Sequence, residues 1–590
     1  NEAAVKRWLP LPLMLMAFVL FALTRTSNYN GDGIGYARAV ATRPPGDLLW
    51  PGHLLYGIFN SEVYHLVSDL SGTVSALHLM QWVNVFAGAI GVGLMALLAV
   101  RIIKSTPTAV LVTLGLAVSY GYWIQATDVE TYALAITCML GAAVVLPIGR
   151  QSNSRPVAYA ILGGALHSLG MLFHISMLLL YPTAVAGILL GYTTSRKRRL
   201  ALVTHTATLL LFGFMPLVGA AVRDAGATSM AQVMAWIGQS SHGLPGALGL
   251  MSAPRAIYGL LNAFLYLAHL GHGIQLAAAA GLSTPGEVSN LLRQYLLPLS
   301  GLALVGAFLV FLFIAGVKRA LRRRSLERGH LIFLILWIVP FAAIGIYYFP
   351  SDTERWVLLL PALWLLIGMV AAAAPPANRR KEIALLAAMV MVLAVANAIG
   401  AMLPARDLAR NSTYAAAQAI GNRIQGADTV IIAGRNWTVD GYLKYFFGHE
   451  NCLSLPALSA QDQLNRDSLT RILRDHIAAA QMSQTEVWLY GDFGTSQYSP
   501  GQWERITHIQ MSRDEIKTVI SEFAVERDVE VAPDEWLYRI RPQNSQKGQT
   551  WPFSASPVLH ETGNRHRPRF WQASLQMRRV SHYGPYTEYI

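Results

Sequence analysis

Residues 78–100 read HLMQWVNVFAGAIGVGLMALLAV, an apolar run that decides the fold class. A helix of about 20 such residues crosses a bilayer core of roughly 30 Å. Similar runs lie along the chain, so the sequence predicts an all-α polytopic membrane body. The eleven predicted spans are 9–24, 78–100, 107–124, 131–148, 156–171, 174–192, 200–222, 296–316, 330–349, 356–374 and 383–402.

The composition agrees with this fold class. The 590 residues are 53% hydrophobic and 13% charged, whereas soluble chains carry about 25% charged residues. Disorder, collagen, coiled coils and a soluble multidomain enzyme are therefore excluded. The net charge of +13 would suggest nucleic acid in a soluble protein. Here the basic residues lie in short loops, so we expect the lipid bilayer as a partner and no nucleic acid.

Three segments need a finer interpretation. Residues 156–192 are too long for one span and polar near the middle, which predicts two short helices with a tight turn. Residues 256–282 hold two histidines and are interpreted as interfacial or re-entrant helix within a long external loop, 223–295. The first run follows Lys6 and Arg7 and is interpreted as a retained span.

The loop charges predict the orientation. With a cytoplasmic N-terminus, the inner loops hold the basic clusters, and the outer loops 25–77, 125–130 and 350–355 hold four arginines against eight acids. This bias follows the positive-inside rule. Eleven spans then place the C-terminus outside. We expect a multi-pass protein of the bacterial inner (cytoplasmic) membrane.

The composition changes near residue 403 to that of a soluble domain. Helical periodicity at 406–424 and 460–480 alternates with buried strands at 429–433 and 486–490, and 530–540 suggests a hairpin. Residues 1–402 are thus the membrane body, 403–541 are an extracytoplasmic α/β domain, and 542–590 are a polar tail. The two cysteines, Cys138 and Cys452, have neither disulfide nor metal spacing.

The first external loop begins Asn28-Tyr-Asn-Gly-Asp-Gly-Ile-Gly-Tyr36 and continues through Trp50-Pro-Gly-His53. Its acid, Asp32, lies between glycines that let the backbone approach a ligand closely. A solvated acid in a glycine-rich turn is the plain alternative.

The other outer loops add further candidates. Asp128 and Glu130 lie between two spans with almost no loop to solvate them, as N-terminal caps, as functional acids, or as both. His174 lies at the predicted turn of the short helix pair, where a satisfied core histidine is the alternative. Arg355 suits a phosphate, or it pairs with a neighbouring acid. All these residues are expected at the same outer face, which fits chemistry on an anionic lipid-linked substrate.

These motifs resemble those of GT-C membrane glycosyltransferases, and in particular the bacterial protein-O-mannosyltransferase-like branch. Arg43-Pro-Pro-Gly46 is similar to a His-Pro-Pro-Gly segment of that branch, with Arg43 in place of His. Trp123 to Tyr132 resembles its aromatic and Glu-x-Tyr motif, and Gly170 to Pro182 its Gly…His…Pro helix. Asp352 to Pro361 resembles the Arg…Pro span start of the superfamily. The resemblance covers about residues 1–400.

The resemblance implies inverting sugar transfer from a polyprenyl-phosphate donor to an acceptor hydroxyl of a protein or a cell-envelope glycan. Asp32 would be the general base. The residues expected to bind donor phosphate are Arg355, His174 and Arg43. The residues expected to bind sugar or acceptor are Asp128, Glu130, Tyr36, His53 and Tyr132.

Other interpretations stay open at this point. A divalent cation is possible but not favoured, so no metal ligand and no cofactor is predicted. A transporter or flippase of a lipid-linked or anionic substrate is the main alternative function, although its polar groups would be expected near the midplane. A non-catalytic assembly or polysaccharide-binding protein is the third. The sugar, with mannose and arabinofuranose as candidates, and the acceptor are not specified by the sequence.

Overall fold

The computed structural model describes residues 8–72, 74–146, 155–238, 252–267, 328–348, 350–433, 438–460, 465–491, 511–532 and 535–542. They form two compact units. The first, the membrane body, lies within 8–406, and the second, the α/β domain, begins at Asp407. The predicted span 296–316, residues 268–282 and the tail from 543 lie outside the described residues.

The membrane body is helical. Its helices are α1 Pro10–Leu23, α2 Gly31–Thr42, α3 Leu54–Ser71, α4 Ala76–Ile102, α5 Thr106–Val118, α6 Tyr120–Thr127, α7 Tyr132–Val145, α8 Pro156–Phe173, α9 Tyr181–Gly191, α10 Ser195–Leu209, α11 Met215–Ala225, α12 Met230–Gly238, α13 Ser252–Phe264, α14 Arg328–Tyr348, α15 Thr353–Val357, α16 Leu360–Ala372 and α17 Pro376–Asn397. A π-turn joins α10 to α11.

Five of the described helical segments are long and apolar enough to cross a membrane: Ala76–Ile102, Pro156–Phe173, Ser195–Ala225, Arg328–Tyr348 and Ala377–Ala405. The bent pair α5 and α6 makes a sixth if it is one span, and four shorter apolar helices accompany them. The chain is thus a multi-pass membrane protein, while the total of eleven spans stays a prediction. Many large apolar side chains of these helices, such as Phe212 at 57% exposure, face outward, as lipid contact requires.

Two breaks interrupt the apolar segments. The predicted turn within 156–192 is confirmed, because α8 ends at Phe173, His174 is extended, and a 3-10 helix follows at Ile175–Leu180. The predicted span 107–124 is not one straight helix. The chain bends by 59° between α5 and α6. At that bend Ser119 is extended, and its hydroxyl accepts a hydrogen bond from the Trp364 indole at 3.0 Å.

The α/β domain contains helices α18 Ser412–Gly421, α19 Val439–Phe447, α20 Leu455–Ala460, α21 Arg466–Ser483 and α22 Arg513–Ile520, and strands β1 Thr429–Ile432, β2 Cys452–Ser454, β3 Val487–Gly491, β4 Ala524–Ala532 and β5 Glu535–Arg541. The strand order is β2-β1-β3-β5-β4. β1 pairs in parallel with β2 and β3, and β5 is antiparallel to β3 and β4.

The domain's core lies where α21 and α22 cover the sheet. Leu473 and Ile516 are fully buried on these helices, and Ile431 and Leu489 lie in the same cluster from the strands. The predicted strands near 429–433 and 486–490 and the hairpin near 530–540 are confirmed as β1, β3 and β4–β5. The domain therefore has the small C-terminal sheet that its apolar runs predict.

Candidate active site

The two acid-bearing loops meet at one end of the membrane-spanning helices. The Thr26 N–H donates to the Thr127 carbonyl at 3.2 Å, which joins the segment after α1 to the end of α6. The start of α2 packs on the next turn, because a Cβ atom on Gly33 would lie only 2.9 Å from the Val129 carbonyl oxygen. Asp32 and the turn that carries Glu130 are thereby brought together.

Local structure fixes both acids. Asn30 caps α2 by accepting the Gly33 N–H, and this places the half-buried Asp32 in the first helical turn, where the helix dipole favours a negative charge. Glu130 is buried, with 4% of its surface exposed, between α6 and α7. Asp128 is fully buried, and its Oδ1 accepts the Val129 N–H at 2.8 Å, so it supports the turn.

An aromatic group lies beside these acids. The Tyr36 ring on α2 is 4.7 Å from the Trp50 ring and 6.3 Å from the His53 ring, centroid to centroid. Partial burial raises the pKa of the Tyr36 phenol well above its usual value, and the charges of Asp32 and Glu130 raise it further. The Tyr36 hydroxyl therefore stays protonated and can donate a hydrogen bond beside the two carboxylates.

A second group, rich in hydrogen-bond donors, adjoins the first. The His174 ring lies 4.8 Å from the His53 ring and 4.4 Å from the Tyr132 ring. His174 Nδ1 accepts the Ser176 N–H at 3.2 Å, so in the neutral ring the proton is assigned to Nε2. The Ile175 N–H donates to the Gly52 carbonyl at 3.0 Å and ties this turn to the first loop.

Arg355 completes the group from α15. Its Nη1 donates to the Tyr132 hydroxyl at 3.2 Å, and its Nε lies 3.4 Å from Asp352 Oδ2. Asp352 in turn caps α15 by accepting the Glu354 N–H. Such contacts orient a planar guanidinium, which is suited to a phosphate.

The structure thus gathers most of the residues that the sequence singled out. Together they form the cluster, which consists of Asp32, Tyr36, His53, Asp128, Glu130, Tyr132, His174 and Arg355. Arg43 is not brought to Asp32, because it caps the other end of α2, about 16 Å away along the helix axis. Among the described residues, no group of three or more His, Cys, Asp or Glu side chains is placed to hold a metal.

Sequence reasoning missed several residues around the cluster. Gln81 and Asn84 of α4 donate to backbone carbonyls of both acid-bearing loops. His167 Nδ1 lies 3.3 Å from His205 Nε2, and His167 Nε2 lies 2.9 Å from the Met177 carbonyl, which links this pair to the turn after His174. The available signal was a polar side chain inside an otherwise apolar run.

No family model and no curated protein matches this sequence. Solved structures do match. ArnT from Cupriavidus metallidurans in the apo state aligns with TM-score 0.56 and 11% identity, over 91% of this chain and 98% of that one. ArnT from the same organism bound to undecaprenyl phosphate aligns with TM-score 0.54 and 12% identity, over 90% and 97%. The chain therefore shares the fold of this ArnT.

Proposed function

We propose that this protein is an integral-membrane glycosyltransferase that moves a sugar from a polyprenyl-phosphate donor to an acceptor hydroxyl at the outer face of a bacterial inner membrane. The observation that carries the proposal is the cluster itself. It places carboxylates beside an arginine and a histidine, in a chain with the fold of a protein that was solved with undecaprenyl phosphate.

The donor phosphate binds at the Arg355 side of the cluster. The guanidinium offers parallel N–H donors, and the His174 Nε2–H adds another beside the Tyr132 ring. Charge-assisted hydrogen bonds of this kind stabilise a phosphate both in the bound donor and as it leaves. A phosphate role for Arg43 requires the donor to extend along α2.

The transfer step occurs at the Asp32 side. Asp32 accepts the proton of the acceptor hydroxyl, the acceptor oxygen forms a bond to the anomeric carbon, and the bond from that carbon to the phosphate oxygen breaks. The electron pair leaves with the polyprenyl phosphate. A single displacement of this kind inverts the anomeric centre. Glu130, Asp128, Tyr36, His53 and Tyr132 bind the sugar or the acceptor, which is a protein or an envelope glycan.

The test uses the full chain in lipid nanodiscs. We measure binding of undecaprenyl phosphate, and transfer from polyprenyl-phosphate mannose and polyprenyl-phosphate arabinofuranose to an envelope extract. Asp32→Asn should lower turnover by about 10²–10⁴-fold, because the base is lost, and should leave lipid binding unchanged. Arg355→Gln should weaken lipid binding by about 10- to 100-fold, because charged hydrogen bonds contribute roughly 1.5–3 kcal/mol.

Two control variants lie at the same end of the body. Asp47→Asn changes an exposed acid of the same loop, and Arg25→Gln changes an arginine that packs over Trp82 at 4.4 Å. Both should keep binding and turnover. Undiminished transfer by Asp32→Asn would contradict the base assignment. Movement of the lipid-linked sugar across the bilayer without transfer would replace the proposal with a flippase.

A further inference from the structure

Two buried side-chain amides of α4 donate hydrogen bonds to the backbone of the two loops that carry Asp32 and Glu130. Gln81 and Asn84 are three residues apart, so they share one helix face, and 1% and 0% of their surfaces are exposed. Gln81 Nε2 donates to the Thr26 carbonyl at 2.7 Å and to the Thr127 carbonyl at 3.1 Å. One side chain therefore joins the two loops at their bases.

Asn84 contacts the acidic turn, residues 128–130 between α6 and α7. Its Nδ2 donates to the Asp128 carbonyl and to the Glu130 carbonyl, both at 2.7 Å. These two carbonyls flank Val129, whose own carbonyl oxygen lies against Gly33, next to Asp32. The Asn84 amide therefore fixes the Glu130 backbone directly, and through Val129 it limits how closely the start of α2 approaches.

A buried amide in a membrane helix also has a plainer use, which is to join helices. Asn397 shows that use in the same body. Its Nδ2 donates to the Val118 and Phe264 carbonyls, both at 2.8 Å, and it is fully buried. Neither of those segments carries a residue of the cluster. Asn84 and Asn397 thus each donate two hydrogen bonds to backbone carbonyls in different places, and Asn397 also accepts the Tyr266 N–H at 2.9 Å. A comparison of the two residues therefore separates an effect on stability from an effect on the position of the acids.

We infer that Asn84 is a positioning residue that sets the distance between the Asp32 and Glu130 carboxylates. The inference rests on the proposed function, because that distance matters only if both acids meet one substrate. Asn84 acts on the transfer step and not on lipid binding, since Asp352 orients Arg355 and the Ser176 N–H orients His174, both from outside residues 127–132.

The experiment compares Asn84→Leu with Asn397→Leu in the full chain in nanodiscs. Each change removes two N–H donors and keeps the number and branching of the side-chain heavy atoms, and the added bulk of the two methyl groups is the same in both variants. Asn84→Leu should lower turnover at saturating donor by about 10- to 100-fold, as a small misplacement of reacting groups does, with the Kd for undecaprenyl phosphate unchanged. Asn397→Leu should lower the thermal unfolding temperature at least as much as Asn84→Leu does, because it also removes the acceptor of the Tyr266 N–H, and it should keep wild-type turnover.

A second variant guards against a folding failure. Asn84→Asp keeps the size of the side chain but directs carboxylate oxygens at two carbonyls, so it should also lower turnover while the Kd stays the same. Wild-type turnover in either Asn84 variant, or an equal loss in Asn397→Leu, overturns the inference. A rise in the Kd that accounts for the whole loss also overturns it, because the effect would then be on binding.

The failure of the proposed function looks different. In that case the wild type itself neither binds undecaprenyl phosphate nor transfers sugar. Hydrogen exchange of residues 127–132 then decides whether Asn84 holds the turn. Faster exchange in Asn84→Leu and not in Asn397→Leu would show that the Asn84 hydrogen bonds hold this turn, and unchanged exchange would show that they do not.

Discussion

The membrane body and the α/β domain join distant segments with buried polar groups of different chemistry. In the body, buried amides such as Asn84 and Asn397 donate to backbone carbonyls of other segments. In the domain, the buried acid Asp428 acts as the acceptor, because its carboxylate accepts the Gln425 and Glu486 N–H groups and the Trp488 indole N–H. Both uses avoid an unpaired polar group and join segments that are distant in sequence, but the body uses amide donors and the domain a carboxylate acceptor.

Their surfaces differ in the opposite sense. The body exposes many large apolar side chains, whereas in the described part of the domain Met482, at 83% exposure, is the one exposed large apolar residue. The domain places ion pairs at its surface, such as Arg474 with Glu522 at 2.9 Å. Because lipid offers no hydrogen bonds, the body must hold its polar groups inside. Buried polarity therefore marks candidate functional positions more strongly in the body than in the domain.

The largest effect expected from this difference concerns the domain's core. Leu473→Ala should lower the free energy of unfolding of the α/β domain by about 2–5 kcal/mol, because it leaves a cavity under the sheet. Undecaprenyl phosphate binding should not change, since every residue of the cluster belongs to the body. Calorimetry of the full chain and the lipid binding assay measure the two quantities.

Met482→Ala is the matched control, because its side chain is 83% exposed and should change stability by no more than about 0.5 kcal/mol. If Leu473→Ala weakened lipid binding, the assignment of the whole binding site to the membrane body would be wrong.

A smaller effect is expected where the body packs tightly. Gly33→Ala places a Cβ atom 2.9 Å from the Val129 carbonyl oxygen, and the overpacking should destabilise the body by about 1–3 kcal/mol. Because the start of α2 must move away from the acidic turn, turnover should fall by about tenfold. A thermal unfolding curve and the transfer assay report the two changes.

Gly219→Ala is the control for this substitution. No atom lies within 4 Å of a Cβ atom at Gly219, which is in α11, and alanine there should stabilise the helix by up to about 1 kcal/mol. Equal turnover in the two variants would mean that the contact between Gly33 and Val129 does not position Asp32.

The sequence predicted the class of both units for physical reasons. Apolar runs identify segments that need lipid or a core, so α4 and the strands β1 and β3 were predictable. Successive spans cross the membrane in opposite directions, so the order of the predicted spans was enough to expect that His174, Glu130 and Arg355 share one end of the body. This expectation needed no knowledge of contacts.

Other features depend on distant contacts and left no local signal. The bend at Ser119 is stabilised by Trp364 and Asn397, which lie more than 200 residues further along the chain. Arg43 follows Asp32 closely in sequence, but α2 makes that interval rigid and separates the two residues. The hydropathy pattern did not reveal helices α2 and α3, because neither is among the helices long and apolar enough to cross a membrane. The hydrogen bonds of Asn84 likewise depend on a turn that follows it by more than 40 residues.

The smallest predicted effect is the pH dependence of the domain. Partial burial lowers the pKa of His476, and the Arg423 guanidinium lowers that of Asp528. Each group binds its proton less readily in the folded domain than in the unfolded chain, so each stabilises the fold at neutral pH and loses that contribution as the pH falls. For His476 the loss begins below about pH 6.5, and for Asp528 below about pH 4.

The unfolding temperature of the domain in the full chain should therefore fall between pH 7.5 and pH 5, by a few degrees because these side chains are partly exposed to solvent. His476→Gln should remove most of that slope, since the carboxyl groups with a lowered pKa, Asp528 and Glu515, titrate at lower pH. Arg423→Gln, as the matched change at the surface, should keep the slope above pH 5 and reduce it only in acid. A midpoint that rises on acidification would reverse the sign of the His476 contribution and show that its protonated form is the one that the folded domain prefers.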